Sequence, residues 1–162
     1  MTRFAPITSA LAAAFLLAAC ASAPPAPPPE PPAPPPASFD HTLSGDALFA
    51  FGKSSIDNLS PAGRAELDAL AERVLAAPAI DMVHVIGHSD RIGNDRANVA
   101  LSNKRAQAVR DYLVAAGVAA DRVTAVGRGS VEPVVDCEGE RGQALIDCLA
   151  PNRRVDVRVL MP

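Results

Sequence analysis

The order of apolar patterns along this chain predicts an α+β fold. It is a two-layer sandwich of two main helices on one face of a mixed four-stranded sheet, running strand, helix, strand, helix, strand, strand. Three observations carry the prediction. Met82 to Ile86 is an apolar, β-branched run closed by Gly87. Arg154 to Leu160 alternates Val155, Val157 and Val159 with charged residues, the pattern of a strand solvated on one face. Two longer stretches repeat their apolar residues every three or four positions, as amphipathic helices do.

Taken in order, Ala47 to Phe51 reads as a short first strand, followed by a polar turn through Lys53 to Asn58. Ser60-Pro61 is an N-cap with proline at the first helical position. That helix carries Leu67, Leu70, Ala71, Val74 and Leu75 on one face and stops before Pro78. After Met82 to Ile86 comes a second helix from Asn98 to Ala116, with Leu101, Ala108, Val109, Tyr112 and Leu113 on its stripe and Gly117 at its end. Val123 to Val126 is the third strand. An insertion with a short helix near Gln143 to Leu149 then leads into the last strand.

The start of the chain is of another kind. Arg3 gives a short basic beginning and Ile7 to Ala19 is apolar, too short for a membrane span of about 20 residues and suited to a secretory leader over residues 1–19. Leu17-Ala18-Ala19-Cys20 resembles a lipobox, so Cys20 is the expected lipidation site and residues 20–23 the lipidated N-terminus. The competing reading is an ordinary leader that happens to contain a cysteine. Residues 24–38 read as a spacer, and its run from Pro24 to Pro36 is mostly proline, which favours extended polyproline II on the order of 40 Å long. The folded domain is expected over residues 39–162, long enough for one core. The lipobox resemblance implies a lipid-anchored protein, and Ala21 rather than an aspartate after Cys20 resembles lipoproteins sorted to the outer membrane. The expected localisation is therefore the outer membrane, with the domain in the periplasm.

With Cys20 lipidated, Cys137 and Cys148 remain, and an even remainder in an exported chain suggests a disulfide. A metal pair or a redox pair would compete, but no CxxC exists and no histidine is near. The formal net charge is −3, and the only tyrosine is Tyr112, with no tryptophan. There is no basic face or aromatic platform for nucleic acid, and no stacking surface for sugars. No cofactor is called for.

The chemistry concentrates in GHSDRIGNDRANVALSNKR, Gly87 to Arg105. Arg105 follows Leu101 by four and precedes Ala108 by three, so it lies on the apolar stripe. A guanidinium there is unfavourable unless it is paired or reaches a pocket rim. Asp90, at the turn between strand and helix, is the neighbour of that rim. One fixed anion beside one fixed cation makes a receptor for a zwitterion; the plain alternative is a salt bridge that pins helix to strand. Three decoys fall away. Gly87-His88-Ser89-Asp90 lacks the second glycine of a nucleophile elbow, and adjacent Ser, His and Asp cannot converge as a triad. His84 and His88 lie about 13 Å apart on an extended backbone, too far to share a metal. Gly127-Arg128-Gly129 is a turn at a strand end rather than a dinucleotide fingerprint. The chain is read as no enzyme.

Asp90, Gly93, Asn98, Leu101, Ser102, Arg105 and Ala106 spell D-x2-G-x4-N-x2-LS-x2-RA, led by Gly87 and His88. This closely resembles the OmpA-like peptidoglycan-binding domain family. The resemblance extends to Leu48–Phe51, to Gly127–Pro133 and to LIDCLAPNRRVDV at Leu145–Val157, covering roughly Leu43 to Leu160. It implies the same sandwich and non-covalent binding of peptidoglycan through diaminopimelate of the stem peptide, tying the outer membrane to the wall. It implies that Asp90 takes the ammonium and Arg105 the carboxylate. Asn98 then supports the turn or a ligand bond, Gly93 allows close backbone approach, Leu101 walls the pocket, and Lys53 adds a backbone contact. One of Arg153 and Arg154 is expected at the site's edge, without a choice between them. The alternative within the resemblance is a lipoprotein scaffold serving envelope proteins, in a Tol-type, OmpA-type, efflux or secretion complex.

Overall fold

Phe39, His41 and Leu43 alternate with Asp40, Thr42 and Ser44, and this alternation is what makes the first strand. The computed structural model describes residues 38–49, 53–56 and 59–162. The leader, Cys20 and the spacer up to residue 37 lie outside the described residues, as do Phe51 and Asn58. Strand β1 is Phe39–Ser44, and Ser44 then caps a one-turn helix, α1 (Gly45–Leu48), by accepting from the Ala47 N–H. This corrects the first-strand reading of Ala47 to Phe51: Ala47 and Leu48 are helical and Phe49 is the C-cap. Four apolar residues in a row do not distinguish a strand from a buried turn of helix, and here Leu48 and Phe49 drop into the core from α1.

Helix α2 (Pro61–Leu75) starts where Ser60 and Pro61 set it, with Ser60 Oγ accepting from Gly63 N at 2.9 Å. Strand β2 is Met82–Gly87 and α3 is Asp95–Ala115. Helix α3 begins three residues before the Asn98 start expected from the sequence, because Asn94 caps it, its side chain accepting from Ala97 N. Strand β3 is Val123–Gly127; α4 (Gly142–Cys148) lies in the insertion, and β4 is Arg154–Leu160.

The sheet order is β1-β4-β2-β3, with β2 and β3 parallel and the other two pairings antiparallel. Period-two alternation sends Leu43, Val83, Val85, Val155, Val157 and Val159 into one core with Leu67, Leu70 and Val74 of α2 and Ala106, Val109 and Leu113 of α3. The fold is thus an α+β sandwich with a mixed four-stranded sheet. Gly87 sits where the sheet and α3 come closest: a Cβ there would fall 2.1 Å from Ser102 O, so only glycine lets α3 seat. That contact fixes how far along α3 the later residues reach over the ends of the strands.

Candidate functional site

Beyond Gly87 the chain is tied on both sides. His88 N donates to Arg154 O at 2.8 Å and Ser89 N to Gly129 O at 2.9 Å. Asp90 therefore emerges at the carboxyl end of β2, where parallel sheets place their sites. Asp90 Oδ1 accepts from Ile92 N at 2.9 Å, shaping the turn, and Gly93 completes it with φ +99°. Asn98 Nδ2, in the first turns of α3, donates to Asp90 O at 3.1 Å and fixes the loop on the helix.

Arg105 is only 2% exposed. Its Nε donates to the Lys53 carbonyl at 3.0 Å, and its guanidinium carbon lies 5.4 Å from the centre of the Phe49 ring. Among the described residues no carboxylate comes within ion-pair distance of it. Burial lowers its pKa below the ordinary arginine value; Asp46 attracts the charge, Arg153 repels it and Asp90 attracts it.

The salt bridge at this place belongs to a different arginine. Arg153 Nη1 donates to Asp90 Oδ2 at 2.8 Å and to Ile146 O at 3.0 Å. Its Nε donates to Asp46 Oδ1 at 2.9 Å and its Nη2 to Asp46 Oδ2 at 2.6 Å. The hydrogen bonds that Arg153 donates to Asp46 raise its pKa, against its burial and with help from Asp90. Arg154 turns the other way, onto the open face of the sheet, where Nε meets Asp156 Oδ2 at 3.0 Å. Of the two, Arg153 therefore faces the site: successive residues of an extended chain point to opposite sides.

Between these groups lies a cleft of about 90 Å³, lined by Ser89, Asp90, Ile92, Asn98, Leu101, Arg105 and Arg153. Ser89 Oγ is buried there without a hydrogen-bond partner. Gly93 lies outside the wall, in the turn above it, and Lys53 takes part through its carbonyl on Arg105. The sequence singled out Asp90, Asn98, Leu101 and Arg105, which the fold brings together; it missed Asp46 and Ser89. Ser44 before a helical turn was the available signal for Asp46, hidden by the strand reading of the next residues.

A larger hollow of about 490 Å³ lies on the open sheet face, where Arg154 and Asp156 pair with each other. Thr42 Oγ1 donates to Asp156 Oδ1 at 2.8 Å, and His88 Nε2 lies 3.3 Å from Asp156 Oδ2. Burial would raise the Asp156 pKa, yet the bonds from His88, Thr42 and Arg154 outweigh it and bring it down to about 2. His84 is separate, with Nδ1 2.7 Å from Thr124 Oγ1. The insertion is braced and reaches the cleft through Arg153. Cys137 and Cys148 form a disulfide with Cα atoms 6.1 Å apart, Arg91 Nη2 donates to Cys137 O at 2.8 Å, and Ile146 supplies the carbonyl on Arg153.

The sequence pattern of the OmpA family matches residues 48–146. Outer membrane protein A of Yersinia pseudotuberculosis is 45% identical over 122 residues, 73% of this chain and 34% of that protein. Outer membrane protein P5 of Haemophilus influenzae is 45% identical over 121 residues, 73% of this chain and 33% of that protein. The chain spans about a third of the length of these relatives. Among solved structures, the cell wall anchor of the T6SS from Pseudomonas aeruginosa is similar with a TM-score of 0.62 and 32% identity, over 77% of this chain and 82% of that one. The peptidoglycan-associated lipoprotein from Burkholderia pseudomallei gives 0.57 and 28%, over 74% and 89%. Identity of this extent, on the same sandwich, places the chain in the OmpA family.

Proposed function

We propose that the cleft binds peptidoglycan non-covalently, taking the free zwitterionic end of diaminopimelate in the stem peptide, and that the chain thereby ties the outer membrane to the wall. The observation that carries this reading is Arg105: a guanidinium almost wholly buried at a cleft, held by a carbonyl and a ring rather than by a carboxylate. A buried cation of that kind favours an incoming anion, and its planar fork suits a carboxylate. Asp90 stands across the cleft. Each of its oxygens accepts one hydrogen bond from the protein and has a further lone pair to offer an ammonium. Ser89 Oγ, Asn98 and the Leu101 side chain complete the walls, and Gly93 and the Lys53 carbonyl keep the two charged groups in place.

The relatives described as a cell wall anchor and as a peptidoglycan-associated lipoprotein support the same reading. Cys20 as lipid anchor, residues 1–19 as leader and residues 24–38 as spacer complete the tether. The assignment involves no catalysis. Val131 and Val134 are 71% and 57% exposed on the insertion, which favours a second reading in which the domain docks an envelope protein.

The deciding experiment is co-sedimentation of the full chain, in detergent, with diaminopimelate-type sacculi, with and without free diaminopimelate. Binding that free diaminopimelate displaces supports the wall reading. Failure to pellet, or pelleting that the free amino acid does not displace, sinks it and turns attention to protein partners.

A further inference from the structure

Two acids share one arginine at the cleft, and they share it unequally. Asp46 takes the edge of the Arg153 guanidinium formed by Nε and Nη2, at 2.9 and 2.6 Å, which is the two-point geometry that arginine and carboxylate prefer. Asp90 is left a single contact from Nη1, at 2.8 Å, on a nitrogen that also donates to Ile146 O. Asp46 is well placed to hold its share. It sits in α1, capped by Ser44, and Gly45 N donates to Arg153 O at 2.7 Å, so the helical turn and the start of β4 are locked together. Gly45 has no room for a Cβ, which would lie 2.6 Å from Arg153 O.

We propose that Asp46 is a positioning residue that sets the specificity of the cleft: by occupying the fork of Arg153 it keeps Asp90 open to a ligand ammonium. This rests on the zwitterion reading of the site. Without the Asp46 charge, Arg153 is released to turn its fork onto Asp90 and engage both of its oxygens. The charge count changes in the same sense. Arg105 and Arg153 face Asp46 and Asp90, a balance that suits a ligand with one charge of each sign. Removal of one acid leaves the cleft cationic and suited to a bare carboxylate. The Asp46 side chain is 40% exposed, so its substitution opens no cavity in the core.

The test compares ordinary diaminopimelate-type sacculi with the same sacculi after acetylation, which removes the ammonium charge and keeps the carboxylate. Full-length wild type is expected to prefer untreated sacculi by about tenfold, the scale of one hydrogen bond to a charged group. Asp46→Asn is expected to lose most of that preference, and Asp46→Glu to regain it. A purely structural role for Asp46 would weaken both bindings together and leave the ratio unchanged; an unchanged ratio overturns the proposal. Wild type that ignores sacculi removes the functional reading itself, a separate outcome. Should Asp46→Asn fail to fold by circular dichroism, NMR of the wild type decides. The Arg153 Nε–H, tied to Asp46, then holds its frequency through a diaminopimelate titration while the Arg105 Nε–H moves. Equal movement of the two overturns the proposal.

Discussion

Arg153 Nη1 lies 2.8 Å from Asp90 Oδ2, with each side chain only 9% exposed. This pair joins the start of β4 to the loop after β2, two places 63 residues apart in the chain. In so dry a position, loss of the cation strands the anion. Arg153→Ala is therefore expected to lower unfolding stability by roughly 3–5 kcal/mol, the scale for breaking a buried pair. Urea denaturation measures it, and a loss below about 1 kcal/mol, as for an exposed pair, would contradict the account.

Arg105 should behave in the opposite way. It makes no ion pair with a described carboxylate, so its removal strands no charge, and the fold loses a bond to Lys53 O and a contact with Phe49. Arg105→Ala is expected to reduce sacculus binding by about 2–5 kcal/mol while the thermal midpoint moves less than in Arg153→Ala. Asp90→Ala should match it in binding. Undiminished binding by both variants would refute the site.

Acid unfolding should carry the mark of Asp156. Its pKa is depressed to about 2 in the folded protein, whereas an unfolded aspartate titrates near 3.9. A depressed pKa contributes stability that is fully present above the unfolded value and is lost as pH falls through the folded one. Stability should thus fall between about pH 4 and pH 2, and Asp156→Asn should flatten that part of the curve. Urea midpoints collected across this interval for both proteins make the comparison; equal slopes would exclude the role.

Gly87→Ala should be among the most damaging single changes. Its new Cβ meets Ser102 O at 2.1 Å, and the neighbour is helix backbone rather than a side chain that can swing away. Overpacking of this kind costs about 1–3 kcal/mol or more. Because α3 carries Asn98, Leu101 and Arg105, affinity for sacculi should fall along with the melting temperature. A variant of native stability would show that α3 can shift without strain.

The parts of the fold legible in the sequence are those with a local cause. Ser60 and Pro61 announce α2, the alternation of Val155, Val157 and Val159 announces β4, and the apolar run after Met82 announces β2. The LFAF run misled because its first half is a helical turn whose apolar residues are inside for tertiary reasons. Asp90 and Arg105 were legible because one stands at a strand end and the other on a stripe where no charge belongs. Asp46 was not, and Arg153 only by half: the sequence put one of two neighbouring arginines at the edge, and the alternation of Val155, Val157 and Val159 toward the core was the signal that chooses Arg153. The meeting of Asp46 and Arg153 joins residues 107 apart, which nothing local to Asp46 foretells.

The pairing of β1 with β4 has a mechanical consequence. Phe39, at the amino end of β1, faces Val159, while Ser44 at the other end faces Arg154 beside the cleft. The chain thus enters the sheet at one pole and carries the cleft at the opposite pole. A pull between Phe39 and Asp90 runs parallel to the strands. It loads the hydrogen bonds of β1–β4 and β4–β2 in shear, all together, instead of peeling them one after another from an end. Tension along this axis meets the sheet in its most resistant direction, and the element that must hold is the same β4 whose first neighbour, Arg153, holds the cleft in shape.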